Sequence, residues 1–262
     1  MNNKDLDKIN LSKNEISRIK SLSINKFRNK ENLFIVEGDK IVNELITTNA
    51  KIKYLIHTEE FKHNYQHIET KIILTDKAKI KKISNLKNPQ NVVAVVEIEE
   101  VSLKIEMLKE ELTLAIDNIQ DPGNLGTIIR ICDWFGIKNI ICSEASVDVY
   151  NSKVIQATMG AFLRVNVFYQ NLEEFIIKYK EITNNNCYGA FLEGENIYKS
   201  EISNNCLLIL GNEGNGISKK IEKLIDKKIL IPPFYPTEKH AESLNISIAT
   251  AIICSEFRRK GK

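Results

Sequence analysis

Three short stretches of the sequence carry residue types that bind and react. The first is Asp117-Asn118-Ile119-Gln120-Asp121-Pro122-Gly123-Asn124, continuing to Arg130. Asp121-Pro122-Gly123 is strong turn chemistry. Asn124 is a good helix cap, and a helix start with glycine offers free N–H groups to an anion. Arg130 falls two turns into an otherwise apolar helix (Leu125, Ile128, Ile129, Ile131). A guanidinium near a core needs a partner or serves a phosphate. On turn chemistry alone, the stretch reads equally as an ordinary capped strand-to-helix turn. The second stretch is Leu207–Leu210 followed by Gly211-Asn212-Glu213-Gly214-Asn215-Gly216. Its glycines permit tight turns and close backbone approach to a ligand. Its spacing and late position differ from a dinucleotide fingerprint, and Glu213 would repel a pyrophosphate. The third is Ile231-Pro232-Pro233-Phe234-Tyr235-Pro236, then Glu242-Ser243-Leu244-Asn245-Ile246-Ser247. A strand ends in a proline-rich loop before a helix that Ser243 or Asn245 can cap, which by itself is also a plain loop.

The elements that must position these stretches alternate strand and helix. Residues 1–32 are polar and basic with helical spacing of Ile9, Ile16, Ile19 and Leu22. Strands are predicted at Leu33–Val36, Lys53–Ile56, Lys71–Leu74 and Val92–Val96, with helices after Asp39 and over Ala78–Ile83. This is a small α/β domain. Charge-dense residues 97–112 connect it to a second α/β pattern, which places the domains at 1–105 and 106–262. In the second domain, strands Leu112–Asp117, Lys138–Cys142, Arg164–Phe168, Cys187–Phe191, Asn205–Leu210 and Lys228–Ile231 alternate with helices. Those helices are Asn124–Phe135, Asn151–Gly160, Leu172–Glu181, Ile217–Ile225 and Leu244–Arg258. Near-continuous apolar strands imply a parallel sheet covered on both faces, with ligands at the carboxyl ends of its strands. All three chemical stretches follow such ends.

Composition narrows the partners. The formal net charge is +3, but residues 1–90 carry an excess of about +7 and the remainder is near neutral. A polyanion meeting the first part explains this, as does a lysine-rich solvated surface. Lys26, Arg28 and Lys30, just before the first strand, are candidate phosphate contacts or solvated surface charges. The five cysteines form no CxxC pair and sit among apolar residues, so they read as buried reduced thiols of a cytoplasmic protein. No apolar run is long enough to span a membrane. His57, His63 and His67 cluster without supporting cysteines or carboxylates, and no metal is expected. His240 reads as an exposed loop histidine. Trp134, on a helix with Ile131 and Phe135, is expected in the core.

Taken in order, the three stretches resemble the motif set of the SpoU-type (TrmH-like) RNA 2′-O-ribose methyltransferases. Asn118 to Arg130 matches N-x-x-D-P-x-N-x-G-x-x-x-R. Gly211, Glu213, Gly214 and Gly216 match G-x-E-G-x-G. Ile231-Pro232 and then Ser243, Leu244, Asn245, Ser247 and Ala249 match I-P followed by S-L-N-x-S-x-A. Lys26-Phe27-Arg28 and Phe34–Gly38 resemble the substrate-binding domain found before the catalytic domain in many members. The segment between Pro232 and Ser243 is longer than in many members. That departure bears on the rim of the cofactor or substrate site.

The resemblance implies a C-terminal parallel-sheet α/β domain with a deep trefoil knot, preceded by a small α/β RNA-binding domain. It implies a homodimer whose sites span two subunits. It also implies methyl transfer from S-adenosylmethionine, without a metal, to a ribose 2′-hydroxyl, with ribosomal RNA ahead of transfer RNA as substrate. A non-catalytic RNA-binding protein of the same fold is the alternative. The family places the residue matched by Arg130 beside the target ribose, often as general base. A guanidinium rarely gives up its proton, so phosphate binding and stabilisation of the developing alkoxide fit its chemistry better. Asn124 would position the hydroxyl or Arg130, and Glu213 would orient Arg130 or a donor. Ser243 and Asn245 would complete the polar shell. Leu210, Gly211, Gly216, Ile231, Pro232 and Leu244 would hold the cofactor, and Lys26, Arg28 and Lys30 would bind RNA.

Overall fold

The computed structural model describes residues 11–63, 70–235 and 241–260. The chain forms two compact units. One contains residues through Val101 together with Tyr150–Leu163; the other contains Ser102–Val149 and residues from Arg164 onward.

In the first unit, helices α1 (Lys13–Ser21) and α2 (Asn25–Glu31) precede strand β1 (Leu33–Glu37). Helix α3 (Asp39–Ile46), strands β2 (Ile52–His57) and β3 (Lys71–Leu74), helix α4 (Lys77–Ile83) and strand β4 (Val92–Glu97) follow. The sheet order is β1-β4-β2-β3, with β4 antiparallel to both neighbours. Side chains alternate across the sheet. Phe34, Val36, Leu55, Ala94 and Val96 pack with Ile41, Val42 and Leu45 of α3 on one face. On the other, Leu33, Ile35, Ile56, Val93 and Val95 pack with Ile19 of α1, Leu22 just after it, and Ile80 and Ile83 of α4. The first face is completed by Ile155, with Tyr150 and Phe162 against it. These lie between two strands of the second unit in sequence, yet belong to the first unit's core.

The second unit begins with a short 3-10 turn, Ile105–Leu108. Its elements are β5 (Leu112–Ile116), α5 (Pro122–Trp134), β6 (Asn139–Ser143), then α6 (Ser152–Thr158) in the excursion to the first unit. Next come β7 (Asn166–Gln170), α7 (Leu172–Thr183), β8 (Cys187–Asn196), β9 (Cys206–Leu210), α8 (Lys219–Glu222), β10 (Lys227–Leu230) and α9 (Ile246–Lys260). The six strands are ordered β10-β8-β9-β5-β6-β7, and every pairing is parallel. The expected parallel α/β sheet is therefore present. Strands β5 and β9 are buried at every position, as central parallel strands must be.

Three details differ from the sequence reading. The helix expected over Ile217–Ile225 shrinks to four residues. Strand β8 runs to Asn196, with a register shift against β10 between Lys228 and Ile229. Trp134 is 86% exposed, not in the core. Helical geometry explains this. Leu125, Ile128, Ile129 and Cys132 form the buried stripe of α5. Trp134 follows Leu125 by nine positions, about 180° around the helix.

Candidate active site

Strand β5 is followed by Asp117, whose N–H donates to Leu210 O and whose Oδ2 accepts from Ser218 N at 2.8 Å. Asn118 turns the chain sharply with φ 61°. Its N–H donates to Ser143 Oγ, and its carbonyl accepts from Asn212 Nδ2 at 2.8 Å. The helix cap is Asp121, not Asn124: its side chain accepts from Asn124 N at 2.8 Å, with Pro122 at the first helical position. With the cap supplied three residues earlier, the Asn124 side chain is released for other work.

That side chain gathers the three sequence motifs. Asn124 Nδ2 donates to Glu213 Oε1 at 3.0 Å. Asn124 Oδ1 accepts from Asn245 Nδ2 at 3.0 Å and from Ser247 Oγ at 3.2 Å. Ser247, 3% exposed, also donates to the Asn124 carbonyl. Asn245 Oδ1 accepts from Ser247 N at 2.9 Å and so caps α9. An amide donates and accepts at once, which lets one residue join loops that are distant in sequence.

The glycine loop closes on itself. Asn212 and Gly216 exchange two backbone hydrogen bonds, and Asn212 Oδ1 accepts from Gly214 N and Asn215 N. Gly216 has φ 65°. A Cβ at Gly211 would lie 2.1 Å from the Gly216 carbonyl carbon, so only glycine fits.

Arg130 is exposed. The expectation of a guanidinium near the core is corrected: Arg130 lies about 140° around α5 from Leu125, off the buried stripe. It has no hydrogen bond or ion pair among the described residues. Within one chain neither Asn124 nor Glu213 hydrogen-bonds to it; they bind each other. Ser243 is exposed and unbonded among the described residues, and Leu244 is 49% exposed. Leu210 is buried at the end of β9, and Ile231 and Pro232 are half-buried just after β10. Beyond them, Phe234 and Tyr235 are 87% and 58% exposed and meet edge to face.

The candidate RNA contacts separate. Lys26 and Lys30 are exposed. Arg28 is 2% exposed, and its Nη1 donates to Leu22 O at 2.9 Å. A guanidinium so enclosed cannot reach a phosphate, which corrects its expected role. The rings of His57 and His63 stand 5.1 Å apart. His67 and His240 lie outside the described residues. Among the described residues no three His, Cys, Asp or Glu side chains converge as metal ligands, and no helix is long and apolar enough to cross a membrane. All five cysteines are buried and free. Sequence reasoning passed over Asn212 and undervalued Asn118 and Ser247. The available signal was an asparagine directly after a strand, a residue that tolerates the left-handed region.

Residues 111–255 match the SpoU rRNA Methylase family, and the chain belongs to it. Residues 13–94 match the MRM3-like substrate binding domain. The chain is 30% identical over 244 residues to the 23S rRNA (guanosine(2553)-2′-O)-methyltransferase RlmP of Bacillus subtilis, covering 91% of this chain and 94% of that protein. A solved structure assigned to the TrmH family of RNA methyltransferases, from Porphyromonas gingivalis, superposes with TM-score 0.86 at 35% identity, covering 96% of this chain and all of that one. The AdoMet-bound rRNA methyltransferase from Sinorhizobium meliloti does so with TM-score 0.80 at 26% identity, covering 96% of each chain.

Proposed function

We propose that this protein methylates a ribose 2′-hydroxyl of ribosomal RNA with S-adenosylmethionine as donor. The observation that carries this is the convergence of all three motif loops on Asn124. The names of the Bacillus and Sinorhizobium relatives support rRNA as substrate and S-adenosylmethionine as donor.

The loop chemistry fits that donor. The glycine loop lies at the carboxyl end of β9, where such sheets bind ligands, with no room for a side chain at Gly211 and a left-handed backbone at Gly216. The one charge in the loop is the carboxylate of Glu213, compatible with a cationic sulfonium and opposed to a phosphate. Backbone at Leu210, Gly211, Gly216, Ile231, Pro232 and Leu244 would hold the adenosine part. S-adenosylmethionine supplies an already activated methyl group. The protein's task is then alignment and charge stabilisation. Asn124, Glu213 and Asn245 fix the loops, with Ser243 on their rim. Arg130 binds the phosphate beside the target ribose and stabilises its oxygen as the proton leaves.

Arg130 sits six residues beyond Asn124, about 120° away around α5. It shares the exposed face with Trp134, and Ile248 and Leu244 add apolar surface at α9, which packs on α5. This supports a homodimer in which Arg130 serves the partner's loops. The match to the SpoU family supports the trefoil knot. The five buried thiols support a cytoplasmic setting. The first unit, with residues 1–105 as its sequence counterpart, would capture RNA, and 106–262 would catalyse.

Arg130→Ala should lower methyl transfer by roughly 10²–10³-fold while calorimetry shows S-adenosylmethionine binding intact. Mixed with an Asn124→Ala chain, it should regain activity through hybrid dimers. Near-normal turnover of Arg130→Ala would sink the assignment.

A further inference from the structure

The first unit carries many lysines, and the structure sorts them. Lys51 pairs with Glu99, Lys71 with Glu15, Lys77 with Glu60 and Lys79 with Asp76. Arg18 is held by Glu31, and that carboxylate also neighbours Lys30 on α2. Exposed Lys13, Lys26, Lys30, Lys62 and Lys153 have no ion pair among the described residues. Nor do exposed Lys20, Lys40, Lys81, Lys82 and Lys87, and these last five border one loop, residues 84–91, between α4 and β4. Lys81 and Lys82 close α4 just before it, and Lys87 is at its tip. Lys20 Nζ donates to Ser84 O at 2.9 Å, and Lys40 follows Asp39, to which the loop's far end is bound.

This loop is fastened at both ends. Glu37, 3% exposed, accepts from Ser84 Oγ and from Asn85 N at 2.9 Å. Asp39 accepts from Asn91 N at 3.1 Å and from Asn91 Nδ2 at 2.7 Å, while Asp39 N donates to Gln90 Oε1 at 2.8 Å. Burial pushes the Glu37 carboxyl above its ordinary range, and the bonds from Ser84 and Asn85 pull it back. Between the anchors, Lys87 and Asn88 remain exposed. Glu37 and Asp39 are thus consumed in holding the loop, leaving a cation and an amide outward. The loop lies at the edge where β1 and β2 end, since Val93 faces Glu37 and Val92 faces His57.

We infer that the 84–91 loop and its five lysines form an RNA-capturing face of the first unit. Unpaired lysines beside a preformed loop suit a polyphosphate backbone, and the exposed Asn88 amide suits a base edge in unpaired RNA. This inference rests on the RNA methyltransferase reading above.

The test uses the full-length protein, deproteinised 23S rRNA and a salt series. K81E/K87E should weaken RNA binding at least 10-fold and make the slope of log affinity against log salt shallower by about 1.5. At saturating RNA its turnover should be kept, and its S-adenosylmethionine affinity unchanged. K51E/K71E, the same charge change at paired lysines, should shift affinity less than threefold. Wild-type affinity and slope in K81E/K87E, with wild-type protein methylating RNA, would overturn this inference and leave the enzyme reading standing. Equal weakening in both double variants would also overturn it, as an effect of overall charge. If wild-type protein neither binds nor methylates the RNA, both readings fall.

Discussion

The two sheets fasten their edge loops with different chemical groups. In the first unit, carboxylates of Glu37 and Asp39 collect donors from a single loop. In the second, the Asn124 amide gives to Glu213 and takes from Asn245 and Ser247. A carboxylate only accepts, so it anchors one neighbour firmly. An amide relays between several, so it registers three loops against one another. The first solution suits a fixed contact surface, and the second suits a site assembled from distant segments.

The strongest way to break the second arrangement is Gly211→Ala. The added carbon meets the Gly216 carbonyl carbon at 2.1 Å and Ile217 N at 2.2 Å, both backbone. Loss of about 3 kcal/mol in urea denaturation is expected, with loss of cofactor binding. The first-unit counterpart, Gly38→Ala, meets only the end of Gln90 at 3.1 Å with φ 105°, and should cost about 1–2 kcal/mol. Equal costs would erase the contrast.

Asn124→Asp comes next. It removes the donor to Glu213 and sets two carboxylates together, yet an acid in the first turn of α5 suits the helix dipole. Methyl transfer should drop about 10²-fold, mainly in kcat, with the thermal midpoint nearly kept. A full-rate enzyme would deny Asn124 its linking role.

The smallest effect is acid sensitivity. Burial lowers His57 and His63, the latter to about 4 with help from the His57 charge. Both bind protons less readily in the folded protein than in the unfolded chain, which protonates below about 6.5, so the unfolded state binds more protons. Stability therefore falls as pH drops from 6.5 toward 4 and is flat above. Glu37, raised by burial, tilts the other way over part of this window. Urea midpoints at pH 7, 6 and 5 should show a slope that His63→Gln flattens and Glu37→Gln steepens. A pH-independent midpoint would remove the histidines from the balance.

Much of this was legible in the sequence. Strand Lys71–Leu74 was read to the residue, and the three chemical loops were found from turn residues at strand ends. Hydrophobicity places Trp134 in the core, although its position opposite Leu125 turns it outward. The burial of Arg28 was not legible, because its carbonyl partner at Leu22 is supplied by the turn between two short helices. Nor was the release of Asn124, where two good caps compete and Pro122 decides for Asp121. The lysines of the first unit look alike in sequence. Only folding shows which have acids beside them.

Residues 150–163 have a practical consequence for anyone who wishes to divide this chain. They leave the second unit after Val149, bring Tyr150, Ile155 and Phe162 to the first unit's core, and return at Arg164. The backbone therefore crosses between the units three times, and no single cut separates them. A fragment starting at Ser102 would carry a greasy, orphaned hairpin of sequence into water, while one ending at Val101 would be missing a wall of its own interior.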